Sequence, residues 1–351
     1  MTSAFAIRRA LLRSAAAACC LGAAGAPAQP RPRPSAEAQP LSFGVLPVGG
    51  AVDSRSKWEP LLQDLGTALG RRVSALSVPS YEAMERAIDA DQVDIAYLSG
   101  KLALNAVLRG RMQVVASVER DAEQANAHQA LLLMRKEASL NSLEALLAAP
   151  ERWRIARGGS RSVSGYIVPQ IQLFLPRGID IETRFAGELV GSHQENALAV
   201  ANGDADVATN NSTDLERFRQ QFPVEAARLQ VVWRSEPTAP AQILVRTDWT
   251  AAQTRRLQDF LTAYGRSGDA RGAAQRAVLK GAHAHAIQGY ELASNRILIQ
   301  AARQQHELAR QRALSGQWVS EAARQQRLTR LDAEYARQAA WLQREPLLPR
   351  E

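Results

Sequence analysis

From Leu41 onward, short apolar runs alternate with stretches in which apolar residues recur every three or four positions. Leu41–Leu46 reads as a strand. Trp58, Leu61, Leu62, Leu65 and Leu69 then fall on one helical face, with Pro60 near its start and Gly70 at its end. Strands are predicted at Val73–Val78 and Asp94–Leu98, either side of a helix over Tyr81–Ala90. A strand at Leu131–Arg135, a helix after Asn141 capped by Glu144, a strand at Trp153–Ala156 and a helix from about Ser164 come next. Strands near Asp206–Thr209 and Leu229–Trp233 follow. This alternation predicts an α/β protein with parallel sheets covered by helices on both faces. From about Gly289 to Arg344 the chain is rich in Ala, Gln, Arg and Leu and reads as helix without strands. Leu328, Leu331, Tyr335, Ala339 and Leu342 make one narrow apolar seam there. Such a seam packs on the parent protein or, alternatively, holds a second copy of the chain.

The N-terminal stretch is of another kind. Arg8, Arg9 and Arg13 precede an apolar run over Ser14–Gly25, and Ala26-Pro27-Ala28 has the small residues a signal peptidase reads. Residues 1–28 are therefore expected to be a signal peptide, and the proline-rich residues 29–40 a spacer. Arg8-Arg9 followed by Leu11-Leu12 also admits twin-arginine export, whereas Ala16 ahead of Cys19 does not fit a lipoprotein signal. Cys19 and Cys20 are the only cysteines, so cleavage leaves no disulfide and no thiolate zinc site. The formal charge of +8 includes those three leader arginines and is a mild surplus for 351 residues. No basic block with interleaved aromatics occurs, which argues against a nucleic-acid partner.

Two segments carry candidate chemistry. Gly158-Gly159-Ser160-Arg161-Ser162-Val163-Ser164-Gly165-Tyr166 lies between a predicted strand and a predicted helix. A helix start leaves N–H groups unpaired and carries partial positive charge, and two serine hydroxyls would add neutral donors beside it. That combination suits a tetrahedral oxyanion, although a serine cap on an ordinary helix would look the same. Gly191-Ser192-His193-Gln194-Glu195 again puts a small-residue turn and then a histidine at a helix start. His193 is a ligand donor or a capping histidine on this pattern. Catalytic readings find no support. The Gly-x-Ser-x-Gly elbow is missing, His283 and His285 are two apart rather than four, and no nucleotide loop or carboxylate pair stands out.

Both segments, with the run Asn196–Asn211, closely resemble the phosphonate-binding periplasmic proteins of ABC importers. Pro79-Ser80-Tyr81, Val93–Tyr97, Trp58–Leu69 and Val232–Ser235 resemble the same family, over Leu41 to Gly265 in all. The resemblance implies a type II periplasmic-binding-protein fold: two α/β lobes with a hinge, plus a helical C-terminal extension. Residues 41–128 and 239–288 would form one lobe, 129–238 the other and 289–351 the extension. It further implies an oxyanion site of Ser162, the N–H groups of Val163 and Ser164, the Ser164 hydroxyl, His193 and Tyr81, with Tyr97 as an aromatic wall. His128 stands where the opposite lobe has an aromatic residue. No cofactor is implied, and the partner would be an inner-membrane ABC permease. Two departures matter: Val163 replaces the usual threonine of the serine turn, and Thr213 and Ala241 stand where carboxylates bind a ligand's ammonium. Asp214 and Glu236 are near enough in sequence to compensate. Phosphate, phosphite and phosphate esters are alternative ligands, and a ligand-sensing module or a periplasmic phosphatase the alternative roles. Because every anion-site candidate precedes residue 265, the extension is expected to be dispensable for binding.

Overall fold

The computed structural model describes residues 39–45, 51–120, 128–140, 142–283 and 287–344. The predicted signal peptide and nearly all of the spacer lie outside them. The first lobe opens with β1 (Leu41–Val45), α1 (Ala51–Leu69), β2 (Val73–Ser77), α2 (Tyr81–Asp89), β3 (Ile95–Leu98), α3 (Gly100–Leu108) and β4 (Met112–Arg120). The second contains β5 (Gln129–Arg135), α4 (Leu143–Ala148), β6 (Arg154–Arg157), β7 (Gly187–Val190), α5 (His193–Asn202), β8 (Val207–Asn211), α6 (Ser212–Gln221), α7 (Pro223–Ala227) and β9 (Leu229–Pro237). The chain then returns through β10 (Gln242–Arg246), α8 (Ala251–Ala263), α9 (Ala270–His283) and β11 (Ile287–Leu292), and ends in α10 (Ile299–Ser315) and α11 (Glu321–Gln343).

One sheet has the order β11-β4-β10-β3-β1-β2 and the other β7-β6-β8-β5-β9. Both are mixed, not parallel as the alternation predicts. β1 runs parallel to β2 and β3, but β10 is antiparallel to β3 and β4; in the second sheet β5 is antiparallel to β8 and β9. The reason is topological. A strand arriving from the other lobe enters its sheet in the opposite direction, and a two-sided apolar run has the same composition either way. β5 shows this: Leu131, Leu132, Leu133 and Met134 are all fully buried. Helices cover both faces of the first sheet. The α1 face of Trp58, Leu61, Leu62 and Leu65 packs with Phe43 and Val45, while Met84, Leu102 and Val107 pack with Ala96 and Leu98.

The C-terminal segment differs from its prediction in two ways. It begins inside a strand, β11, which pairs with β4 through Leu292. Its helices are also built into both cores. Leu298, Ala301 and Ala302 join the first lobe's apolar cluster, whereas Leu308 joins the second lobe's. The seam of α11 is occupied within the chain: Leu328 and Leu331 pack on Ala313, and Leu342 and Tyr335 pack into the first lobe. The helix after Asn141 starts at a different cap, since Ser142 Oγ, and not Glu144, accepts from Ala145 N–H at 3.1 Å.

Candidate ligand-binding cleft

After β6 the chain turns through Gly158–Ser162 into helix, wound as π-helix over Val163–Ile167 and again over Gln170–Phe174. Pro169 gives a local reason for the departure from α geometry. It has no N–H to offer the Gly165 carbonyl four residues back. That carbonyl instead accepts from Gly158 N–H at 3.0 Å and from Thr209 Oγ1 at 2.8 Å, which anchors the turn to β8. Gly158 and Gly165 must stay small, because a Cβ on Gly165 would lie 2.7 Å from Ser162 Oγ and one on Gly158 2.9 Å from the Gly165 Cα. Ser162 caps the helix by accepting from Gly165 N–H at 3.1 Å. The first-turn N–H groups that follow have no carbonyl within the helix to bond.

A second helix start meets the first. α5 opens with a capping box, in which Ser192 Oγ accepts from Glu195 N–H and the Glu195 carboxylate accepts from Ser192 N–H. This fixes His193 as the first helical residue, buried, with Nε2 3.1 Å from Ser164 Oγ and 4.0 Å from Asp214 Oδ2. Burial holds its pKa below the ordinary histidine value, and the charge of Asp214 only partly opposes this. The imidazole is therefore neutral at pH 7 and carries one N–H donor. The end of β8 ties the two starts together. Asn210 Nδ2 donates to the His193 carbonyl at 2.8 Å, and Asn211 Nδ2 donates to Asp214 Oδ2 at 2.6 Å and to Ser164 Oγ at 3.4 Å.

From the opposite lobe comes Tyr81, the first residue of α2, behind its cap Ser80. Its hydroxyl shares the cavity with Ser162, and burial pushes its pKa upward, so the phenol stays protonated. Two further contacts close the lobes here. Arg161, in the serine turn, pairs with Glu82 and reaches Glu85 Oε2 at 2.7 Å on α2. Gly100, the first residue of α3 at φ +52°, lies so close to Val163 that a Cβ there would be 2.0 Å from its Cγ2.

Between the lobes lies a cavity of about 380 Å³. Tyr81, Tyr97, His128, Ser162, Val163, Ser164 and His193 all line it. Tyr97 also packs on Trp58, ring centres 4.8 Å apart, so it serves the core and the cavity wall together. His128 Nδ1 is 3.1 Å from Thr213 Oγ1, and its carbonyl accepts from Thr238 N–H at 2.9 Å, which joins the two crossing segments. Asp214 lines the cavity, while Glu236 is exposed and outside its lining. Sequence reasoning missed Asn211, Gly100 and the whole contribution of α10. Its Gln300, Ala301 and Gln304 form part of the wall, so the extension shapes the cleft, contrary to the expectation that it is dispensable. A signal for Asn211 did exist: the run Thr209-Asn210-Asn211 puts three buried polar residues at a strand end, where they need partners.

Ser164, His193 and Asp214 have the residue types of a hydrolytic triad but not its geometry. In a triad the carboxylate holds one ring nitrogen and the serine the other. Here Ser164 and Asp214 approach the same Nε2, and Asp214 is also held by Asn211 and by Arg217 at 3.4 Å. Among the described residues no carboxylate bonds His193 Nδ1. The arrangement offers hydrogen bonds to a bound group; it does not generate a nucleophile.

A family model described as the periplasmic substrate-binding protein of phosphonate ABC transporters matches residues 43–296, most of the chain. The chain belongs to this family. Over 237 residues it is 30% identical to the phosphonates-binding periplasmic protein of Escherichia coli, covering 67% of this chain and 69% of that one. A phosphate-import protein of Mycolicibacterium smegmatis is 24% identical over 209 residues, 57% of this chain and 64% of that one. Among solved structures, a binding protein of an ABC phosphonate transporter from Pseudomonas aeruginosa superposes with a TM-score of 0.79 at 28% identity, covering 86% of this chain and 97% of that one. PhnD1 of Prochlorococcus marinus, solved with methylphosphonate, has a TM-score of 0.64 at 18% identity, covers 76% of this chain and 98% of that one, and shares the fold. The protein is thus a substrate-binding component of an ABC importer with the type II fold, and not an enzyme. Its family is periplasmic, and no helix among the described residues is long and apolar enough to cross a membrane.

Proposed function

We propose that the protein captures a phosphorus oxyanion of the phosphonate class in this cleft and presents it to an ABC permease. One observation carries the reading. Two helix starts, the end of β8 and Tyr81 bring uncharged hydrogen-bonding groups to one place: the Ser162 and Ser164 hydroxyls, the His193 imidazole, the Asn211 amide and the Tyr81 phenol. Neutral donors and helix N-termini suit a tetrahedral dianion that must be bound tightly and still be released. The N–H groups of Val163 and Ser164 complete the set, and Tyr97 and His128 bound the space for the ligand's carbon substituent. Closure is a hinge motion driven by the ligand's higher affinity for the closed form.

We divide the chain along the same lines, and the two sheets support the division. Residues 41–128 with 239–288 make one lobe, 129–238 the other, and 289–351 the extension. Residues 1–28 act as the export signal. A homodimer would have to use the exposed faces of α10 and α11, since the apolar seam is occupied. Phosphate is the second ligand to consider, given the relative that imports it. Calorimetric titration with methylphosphonate, phosphite, phosphate and a phosphate monoester, with sulfate as decoy, tests the reading. Saturable binding of a phosphorus oxyanion that Ser162→Ala weakens is expected; no binding of any of them overturns it. Loss of labelled-ligand uptake on gene deletion separates import from a purely sensing role.

A further inference from the structure

The cavity is larger than a bare oxyanion needs, and one wall of it comes from α10. Gln300, Ala301 and Gln304 line that wall at spacings of three and four, one face of the helix. Gln304 is the unusual member. It is 9% exposed, yet its amide has no hydrogen-bond partner among the described residues. Its amide atoms are not among the buried side-chain atoms sealed off without a partner, so they open onto the cavity, where a hydroxyl or carbonyl of a ligand can take the place of water.

The neighbouring charges narrow what that can be. Asp214 is held by Asn211 and Arg217, and Glu216 is held by Arg219 at 3.2 Å. Lys57 also lines the cavity and has a partner of its own. The wall therefore presents amides, Thr213 and Thr238 to the substituent, and its carboxylates are engaged. An ammonium placed there would lose water without gaining a counter-ion, while a hydroxyl or carbonyl would be satisfied by a glutamine amide.

We propose that Gln304, with Gln300 one turn before it, forms a subsite for an uncharged hydrogen-bonding group on the carbon side of the ligand. The subsite rests on the reading that the phosphorus oxyanion lies at Ser162–Ser164. It makes the C-terminal helix a determinant of specificity, with the ligand's substituent bridging from the serine turn to α10.

The test compares 2-hydroxyethylphosphonate with propylphosphonate, a near-isostere lacking the hydroxyl, by calorimetry on the full-length exported protein and on Gln304→Leu. The native protein should prefer the hydroxyl ligand by at least fivefold, and Gln304→Leu should remove that preference while leaving propylphosphonate within about twofold. Equal affinities in the native protein, or a uniform loss for both ligands in the variant, overturn the proposal. Gln304→Glu is the second arm, and its readout is a ratio that partial destabilisation does not move. It should shift the affinity ratio of 2-aminoethylphosphonate to 2-hydroxyethylphosphonate at least tenfold toward the amine, and an unchanged ratio overturns the proposal. Failure of the native protein to bind any phosphorus oxyanion would instead remove the underlying reading and the subsite with it.

Discussion

At one end of the cleft the chain presents hydroxyls, an imidazole and an amide fixed by helix caps and by the polar end of β8. At the other end the wall is assembled from Trp58, Tyr97, His128, Thr213, Thr238 and the α10 glutamines, which come from six separate stretches of chain. The first end is local and rigid. Its side chains are bonded to one another, as in Ser164 with His193 and with Asn211, so little side-chain freedom remains to be lost on binding. The second end is tertiary, and its chemistry depends on where a C-terminal helix docks. A binding protein can keep the first end constant and change its ligand through the second.

The largest effect should come from removing the element that makes the second end. Leu298, Leu308 and Leu342 are buried in the cores of the two lobes, and together they represent roughly 5–9 kcal/mol of apolar burial. That is comparable to the whole stability of an ordinary domain, about 5–15 kcal/mol. Deleting residues 293–351 should therefore lower the melting temperature by more than about 10 °C or prevent soluble expression, and abolish measurable ligand binding. A truncate that melts near the native temperature and binds with native affinity would show that the extension is an appendage after all.

The first end should respond more narrowly. Ser162→Ala and His193→Asn each remove a hydrogen bond to a charged ligand worth roughly 1.5–3 kcal/mol, so calorimetry should show about 10- to 100-fold weaker binding. Some stability should be lost as well, because both residues are buried and Ser162 is a helix cap worth about 1 kcal/mol. The pH dependence follows from the depressed histidine pKa. His193 favours the folded state above its unfolded pKa of about 6.5, and that contribution is lost as pH falls through the lower folded value. The ligand-free protein should melt progressively lower from about pH 7 to pH 5, and His193→Asn should flatten that slope. An identical slope in the variant would assign the acid sensitivity to other groups.

This difference between the ends also explains what the sequence could and could not disclose. Caps, glycine turns and strand ends are local, so the serine turn and the His193 helix start stand out as candidates from the chain itself, while their union in one anion site, and the role of Tyr81, come only from the family resemblance. Strand direction was misread because β5 and β10 are buried on both faces, and burial has no sense of direction. The role of α10 was invisible for a related reason. Its cleft-facing residues are glutamine and alanine, ordinary helix formers, and only docking across both lobes gives Gln304 a cavity to face. Nothing beside Arg161 in the chain discloses what it pairs with. Its partners Glu82 and Glu85 are some eighty residues earlier, on the opposite lobe.

Arg161 predicts a smaller effect that bears on both ends at once. Its pairs with Glu82 and Glu85 tie the serine turn to α2 only when the lobes are together, so they favour closure. Arg161 and Glu82 are partly exposed, which limits the link to about 1 kcal/mol. Glu85 would keep Arg109 at 2.7 Å and Asn105 at 3.1 Å, so Arg161→Ala leaves no orphaned buried charge. Binding should weaken about three- to tenfold for every ligand alike, with the ranking of ligands unchanged. A changed ranking would mean that Arg161 touches the substituent, and unchanged affinities that the clasp does not bias closure.

The smallest expected effect is an absence of preference, and it probes the second end alone. By the family resemblance, Thr213 and Ala241 stand at the positions where carboxylates would meet a ligand's ammonium, and neither can supply a charge. The two candidate replacements are no better placed. Asp214 is committed to Asn211 and Arg217, and Glu236 is exposed outside the cavity. Burying an ammonium without a counter-ion costs several kcal/mol, about enough to cancel what the rest of a small substituent gains from contact. 2-Aminoethylphosphonate should accordingly bind no better than methylphosphonate in the same buffer, measured by calorimetry with both ligands on one protein preparation. A tenfold preference for the amine would break the contrast between the two ends, because it would require a charge at the second. Asp214→Asn would then abolish the preference if Asp214 turns from Arg217 to the ligand, and Glu236→Gln would do so if the crossing strand carries Glu236 inward on closure.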